Sequence, residues 1–435
     1  MAAFLMKEDL GGAMHAFIAR LFPICRSITG DGVRKTLRLV QEQIPIKMHE
    51  VPTGTQVFDW KVPKEWNIRD AWVKDSSGRR LIDFSELNLH VVNYSSPVHR
   101  RMRFAELKEH LFISPGHPEW IPYRTTYYEE TWGFCLCENQ LAKFDNGQEY
   151  DVCIDSSLED GYLTYGECLL PGEETAEVLV SCHICHPSLA NDNLAGLAVA
   201  VELARQLAQS PHRYSYRFLF IPGTIGSITW LARNEDVIPR IRHGIVLTCV
   251  GDSGNISYKR SRQAEAEIDR AFIHVLKHSG DPHTVVDFAP YGYDERQYCS
   301  PGINLPVGCL MRSRHGEFPE YHTSADNLEF VRPGALTDSL AKCLAAIDVL
   351  ENNRIFVNQK PKGEPQLGKR GLYKGLGASP GKRERELALL WVLNLSDGKN
   401  ALLDIAERAN LPFALVRDAA TALSATDLLI PGDWV

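Results

Sequence analysis

From residue 176 onward, short unbroken apolar runs alternate with stretches of helical periodicity, and this alternation limits the fold more than any other feature. "EVLVSCHI" precedes "LAGLAVAVELARQLA", "YRFLFIPG" precedes "IGSITWLARN", and "GIVLTCVG" follows. "AEIDRAFIHVLKHS" is a further helical stretch, "NLPVGCLM" a strand-like run and "PGALTDSLAKCLAAIDVLEN" a closing helix. A strand with no polar face must be covered on both sides, and crossover helices supply the cover. The pattern predicts an α/β fold with a mostly parallel mixed sheet flanked by helices.

The rest of the chain has other textures. Residues 13 to 44 read as helical, interrupted by "FPICRSITGDG". Residues 48 to 165 are rich in Tyr, Trp, Val and turn residues, in short alternating runs that predict an inserted β-rich domain. Residues 359 to 385 hold six Gly, three Pro and eight Lys or Arg against two Glu, which reads as a basic linker. Residues 386 to 435 read as three short helices and a hairpin remnant, a winged-helix pattern. The expected division is 1–47 with 166–358 as the main domain, 48–165 as the insert, 359–385 as linker and 386–435 as the tail. In the tail, the candidate recognition helix "PFALVRDAATAL" offers one Arg and one Asp among apolar or small residues. A helix that reads DNA presents several Lys, Arg, Asn or Gln. A packing or dimerising role fits this helix better, the latter giving a homo-oligomer.

Composition narrows the function. A formal net charge of -8 argues against general nucleic-acid binding and against an anionic membrane surface. No apolar run reaches the roughly 20 residues that span a bilayer. The start, with Glu8 and Asp9 and no clean cleavage site, does not read as a signal peptide. Eleven cysteines, scattered and odd in number, suit a reducing cytoplasm.

The stretch "SCHICHPSLANDNLAG" at 181–196 lies where an apolar strand gives way to a helix. Open α/β sheets place their ligands at such carboxyl ends. Helix capping would account for one residue of Asn191, Asp192 and Asn193. Cys182 and Cys185 could form a redox pair or half of a thiolate zinc site, although the spacing recurs nowhere else. His183, His186 and Asp192 are candidate metal ligands.

Downstream, "YHTSADNLEFVRPGAL" resembles the closing metal motif of zinc aminopeptidases of the bacterial leucyl aminopeptidase type. In that motif a His ligates zinc and an Asp orients the loop. "VLVSCHICHPSLANDNLAGLAVAVELAR" is similar to the family's first motif, with Asp192 at its bridging carboxylate, and "YRFLFIPGTIGSITWLARNE" resembles a third. The whole chain resembles still more closely a set of little-characterised bacterial aminopeptidase-like proteins with an inserted β-rich domain and a C-terminal winged helix. "FPICRSITGDGVRKTL", "PTGTQVFDW", "NLHVVNYSSPV" and "PGTIGSITWL" carry that likeness.

Departures from the zinc enzymes shape the expectation. Thr224 and Ile225 stand where the family has a catalytic and a liganding Glu. Val250 stands at the position of a further ligating Asp, with Asp252 two residues on, and Cys185 where an Asp orients the first His. The resemblance therefore implies a zinc-dependent aminopeptidase or amidohydrolase acting on a small peptide or aminoacyl conjugate, and the cysteine usage places it in the cytoplasm. It implies one zinc per chain, held by Asp192, His322 and one of His183 and His186. The missing Glu pair supports a second reading, a peptidase fold kept as a metal-containing binding module. Candidate general bases are Glu320, two residues before His322 as on one face of a strand, and Asp294 and Glu295 in "YGYDERQYCSPG". Arg26, Tyr293, Arg312 and Arg314 are candidate substrate contacts, an arginine being able to clamp a carboxylate.

Overall fold

The structure, a computed structural model, describes residues 9–372 and 382–432. The first eight residues of the expected non-signal start lie outside the described residues, as do 373–381 of the expected linker and the last three residues. The chain divides into two units, one of residues 1–264 with 284–340 and one of residues 265–283 with 341–435.

The first unit opens with helices α1 (Leu10–Leu21) and α2 (Asp31–Gln41), the two halves of the expected helical stretch. Its eight-stranded sheet comprises, in chain order, β1 (Lys47–Pro52), β2 (Tyr162–Leu170), β3 (Glu177–His183), β4 (Ser215–Ile221), β5 (Ile241–Leu247), β6 (Ile256–Lys259), β7 (His283–Val286) and β8 (Val307–Met311). The spatial order is β1-β2-β4-β3-β5-β8-β6-β7. The four central strands β4, β3, β5 and β8 run parallel, while β1, β2 and β6 pair antiparallel. The fold is the mixed sheet with helical flanks that the apolar runs predict. Every residue of β3 and of β4 is buried, which is why neither run shows a polar face. Helices α3 (Gly196–Leu207) and α4 (Ile225–Arg233) follow β3 and β4 as the crossovers.

Between β1 and β2 the chain forms a four-stranded sheet in the order 80–83, 65–74, 149–159, 98–103. Strands β1 and β2 pair with each other, so the central sheet takes in both ends of the β-rich stretch.

Three charged residues lie on the neighbouring strands β2, β4 and β3. Arg217 donates from Nε and Nη2 to Glu177 at 2.6 and 2.9 Å, and from Nη1 to Glu167. Glu167 also meets His49 Nε2 at 3.0 Å and accepts from Trp230 Nε1 at 3.3 Å. Burial pushes the Glu167 carboxyl up, but His49 and Arg217 outweigh it and hold it at about 2, below its ordinary 4.5. A depressed carboxyl adds stability that is complete above its unfolded value and lost as pH falls from about 4.5 toward 2. Arg217→Met leaves the buried Glu177 carboxylate without its arginine and Glu167 with only His49 and Trp230, and is expected to cost about 3–5 kcal/mol at neutral pH. Acid relieves those carboxylates, so the gap between variant and wild type should narrow by pH 3. Thermal melts of both proteins at the two pH values check this.

The second unit contains α5 (Glu267–Ser279) and the end of α6 (Pro333–Asn352). It also contains α7 (Lys382–Leu395), α8 (Leu402–Ala409) and α9 (Phe413–Ser424) beside a three-stranded antiparallel sheet. This is a winged helix. Its central strand, Ile355–Asn358, precedes the Gly- and Pro-rich stretch, so the winged helix reaches back before residue 386. Arg417, the one basic residue of α9, donates to Asp348 at 2.6 Å and to Asp418 at 2.9 Å. With that cation paired, we expect no salt-dependent affinity of the full chain for a DNA duplex. Fluorescence anisotropy across a salt series reads it directly, and a steep negative slope would contradict the expectation.

No described helix is long and apolar enough to cross a membrane. All eleven cysteines are free.

Candidate metal centre

His183 is the last residue of β3, and the loop 184–189 and a distorted turn at Ala190–Ala195 lead into α3. Asn193 caps this helix, accepting from the Gly196 N–H at 3.0 Å and donating to the Leu247 carbonyl at 2.8 Å. The capping interpretation is thus right for Asn193 and leaves Asp192 free for other work. Asn191 ties the turn to the end of β5 by donating to Asp252 at 2.8 Å and accepting from Gly251 N–H at 2.8 Å. The Asp326 carboxylate accepts from the N–H groups of Asn191 and Asp192, at 2.6 and 2.9 Å. Asp326 therefore fixes the loop that carries Asp192.

Asp192 is fully buried between imidazoles. Its Oδ1 lies 2.8 Å from His183 Nε2 and 3.8 Å from His186 Nδ1, and its Oδ2 lies 3.1 Å from His322 Nε2. Burial pushes the Asp192 carboxyl up, yet the imidazoles of His186, His183 and His322 outweigh it and hold it well below the usual range. Burial lowers His186 well below its ordinary value, which keeps it neutral with a lone pair to offer. Its Nδ1 is buried and makes no hydrogen bond. One carboxylate and two imidazoles, with ligand atoms of His183, His186 and Asp192 all within 4.8 Å of one another, suit a zinc ion. The structure brings both histidines of the "CHICH" stretch to Asp192, where the sequence leads one to expect only one. His322 stands at the mouth, its side chain one-third exposed.

Cys182 and Cys185 do not form a redox pair. Both are buried, and burial pushes the Cys185 thiol up to about 12 and the Cys182 thiol well above its ordinary value. Reactive thiols have the opposite character. Cys185 Sγ instead lies 3.3 Å from the Tyr293 hydroxyl.

The other expected site residues are distributed unevenly. Tyr293 forms a wall of the site: its ring centroid is 4.0 Å from that of His183, and its hydroxyl donates to the Gly223 carbonyl at 3.2 Å. Arg26 is fully buried and faces inward, donating to the carbonyls of His186 at 2.9 Å and Leu21 at 2.7 Å. It tethers the His186 loop. Arg312 is taken up by the Gly254 carbonyl and by Asp338, both at 2.8 Å, while the half-exposed Arg314 pairs with Glu317.

Among the candidate bases, Glu295 is buried in an ion pair with Lys259 and accepts from the Tyr293 N–H. Asp294 is fully buried, accepts from Ser227 Oγ at 2.8 Å, and keeps Oδ2 unpartnered. Burial raises it to about 6 against the nearby charge of His183. Glu320 is half-buried, and its carboxylate makes no hydrogen bond or ion pair among the described residues. The shared strand face expected for Glu320 and His322 is absent, because 320–323 form a turn. Thr323 donates from N–H and Oγ1 to the Glu320 carbonyl, and His322 adopts a left-handed φ of 54°.

Sequence reading missed Tyr123, which comes from the insert. Its N–H donates to the His322 carbonyl at 2.7 Å, and its ring meets those of His186 and His322 edge-on at 4.9 and 5.1 Å. A bridge between Pro122 and Thr323 and a bond from Ile121 N–H to Ser324 Oγ at 3.0 Å lay this segment along the motif. The signal was the aromatic cluster "YRTTYYEE", which has no meaning without the fold.

Residues 15–353 match a domain family of unknown function, DUF4910, and residues 354–431 match a winged helix-turn-helix family. A Clostridium acetobutylicum protein is 53% identical over 425 residues, covering 97% of each chain. Its name ascribes to it an aminopeptidase-like domain and polysaccharide biosynthesis. A crystal structure from that organism superposes with a TM-score of 0.94 at 50% identity, covering 99% of each chain. A zinc aminopeptidase of Bacillus subtilis, 13% identical, superposes with a TM-score of 0.57 over 78% of this chain and 94% of its own. The latter likeness shows the aminopeptidase fold alone.

Proposed function

The chain belongs to the DUF4910 domain family, and we propose that it is a zinc-dependent hydrolase of aminopeptidase type, cleaving an amide bond in a small peptide or aminoacyl conjugate. The observation that carries this reading is the buried Asp192 carboxylate ringed by His183, His186 and His322 on an aminopeptidase fold. His183, His186 and Asp192 would hold the ion, with His322 beside them at the mouth. Bound there, zinc supplies Lewis acidity toward a carbonyl oxygen and makes water more acidic.

The chain's own residues do the rest. Asp326 holds the Asp192 turn, Arg26 holds the His186 loop, and Tyr293 walls off His183. Residues 48–165 act as a lid: the segment around Tyr123 lies against His186 and His322, and so restricts access to small substrates. Glu320 is the general base. Glu295 is neutralised by Lys259 and Asp294 is sealed from solvent, which leaves Glu320, two residues before His322 in the chain, as the partly open one of the three candidates, without a side-chain partner among the described residues. The unpartnered oxygen of Asp294 gives it a positioning role behind His183.

Turnover of a panel of aminoacyl anilides and short peptides, with and without chelator, tests the proposal. Chelator-sensitive, zinc-restorable release of the amine is expected. A metal-loaded protein that releases none would overturn it.

A further inference from the structure

We propose that Asp192 serves a second metal ion, held on the side of β5 by the Cys249 thiolate and a ring nitrogen of His315. The inference rests on reading Asp192 as a metal ligand. One ligand atom from each of Asp192, Cys249 and His315 lies within 4.8 Å of the others, in a cluster distinct from His183 and His186. A carboxylate has two oxygens, and Asp192 is the member common to both clusters.

The second cluster is built into the fold. Cys249 is fully buried two residues beyond the end of β5, and its backbone takes the left-handed conformation, φ 49°. That conformation costs a non-glycine residue about 1 kcal/mol or more and collects at functional positions. His322 takes the same left-handed conformation, φ 54°. Two backbone bonds fix the segment that carries His315 against Cys249: Arg312 N–H to the Cys249 carbonyl at 2.8 Å, and Thr248 N–H to the Leu310 carbonyl at 3.2 Å. The Thr248 hydroxyl lies between the two side chains, 3.2 Å from His315 Nε2 and 3.6 Å from Cys249 Sγ. The rings of Tyr293 and Tyr321 enclose His315, at 6.3 and 6.1 Å.

Thiolate, imidazole and carboxylate together select zinc over magnesium or calcium, because the sulfur is soft. A thiol binds only after losing its proton, so occupation releases the Cys249 proton to solvent. Thr224, Ile225 and Val250 carry no carboxylate, so the sequence by itself points to one ion. A thiol one residue before Val250 and a histidine far downstream fill that part without any Asp or Glu.

Cobalt reports sulfur ligation without reference to catalysis. The full chain, stripped by chelator and reloaded with Co(II), is expected to bind about two equivalents, one per ligand cluster. It should also show a sulfur-to-cobalt charge-transfer band in the near ultraviolet. Cys249→Ser should remove the band and about one equivalent, His315→Gln should weaken the same ion, and His183→Ala should keep the band. One equivalent without the band overturns the second position and leaves the first intact, as does a band that survives Cys249→Ser. A chain that binds no cobalt fails both readings. Should either variant fail to fold, the wild-type spectrum and stoichiometry decide.

Discussion

Asp192→Ala is expected to remove the bound metal and to lower amide turnover by on the order of a thousandfold or more, because several kcal/mol of charge stabilisation go with the ion. The size of the effect follows from position. Asp192 is the shared carboxylate of both ligand clusters and the one group that balances the imidazoles around it. Removing a single histidine leaves a carboxylate and other nitrogens in place, so His183→Ala should retain some affinity where Asp192→Ala retains none. Asp192→Asn keeps the shape and the turn held by Asp326, and separates loss of charge from loss of packing. Metal analysis of the purified variants, alongside circular dichroism and thermal melts, checks the outcome. Full metal content in folded Asp192→Ala would remove the basis of the functional reading.

The sheet and its crossovers were legible because β3 and β4 have no exposed face, and a run with no polar side can only be covered. His183 and Asp192 were legible for a related reason: a strand end followed by a helix start is a fixed geometry, and nine residues of sequence span it. His322 required the likeness to known motifs, since 130 residues separate it from Asp192. Long-range pairing hid the rest. Arg312 looked available for substrate, but Asp338 takes it up, and Arg26 looked like a clamp, but its Nε and Nη1 donors reach carbonyls of its own chain. Cys249 was invisible because its relation to Asp192 depends on a left-handed backbone at the end of β5, and one cysteine in "LTCVGD" carries no trace of that. The β-rich stretch was recognisable as such, whereas the approach of Tyr123 to His322 depends on how its loop folds back.

Glu320→Gln is expected to preserve fold and metal while lowering turnover by about a hundredfold or more, the usual weight of a general base. The substitution keeps volume and hydrogen-bonding capacity and removes only the ability to take a proton from the attacking water. Glu320 has no side-chain partner among the described residues, so the change breaks no contact and any loss of rate is chemical in origin. Its two rivals differ in this respect. Glu295→Gln leaves the buried Lys259 charge with only the carbonyls of Ala289 and Tyr291, so it should show itself first as a lower melting temperature. Asp294→Asn disturbs the bond from Ser227 and the charge behind His183, so it should weaken metal affinity, by roughly tenfold to a hundredfold for a group that supports a ligand. Rate at saturating metal, metal affinity and melting temperature, measured on all three variants, assign each carboxylate by the quantity it moves. A Glu320→Gln protein with unchanged rate would give the base role to another group. If Asp294→Asn then lost rate at full metal occupancy, the proton would pass to the buried carboxylate, and the lid would have to exclude solvent from that transfer.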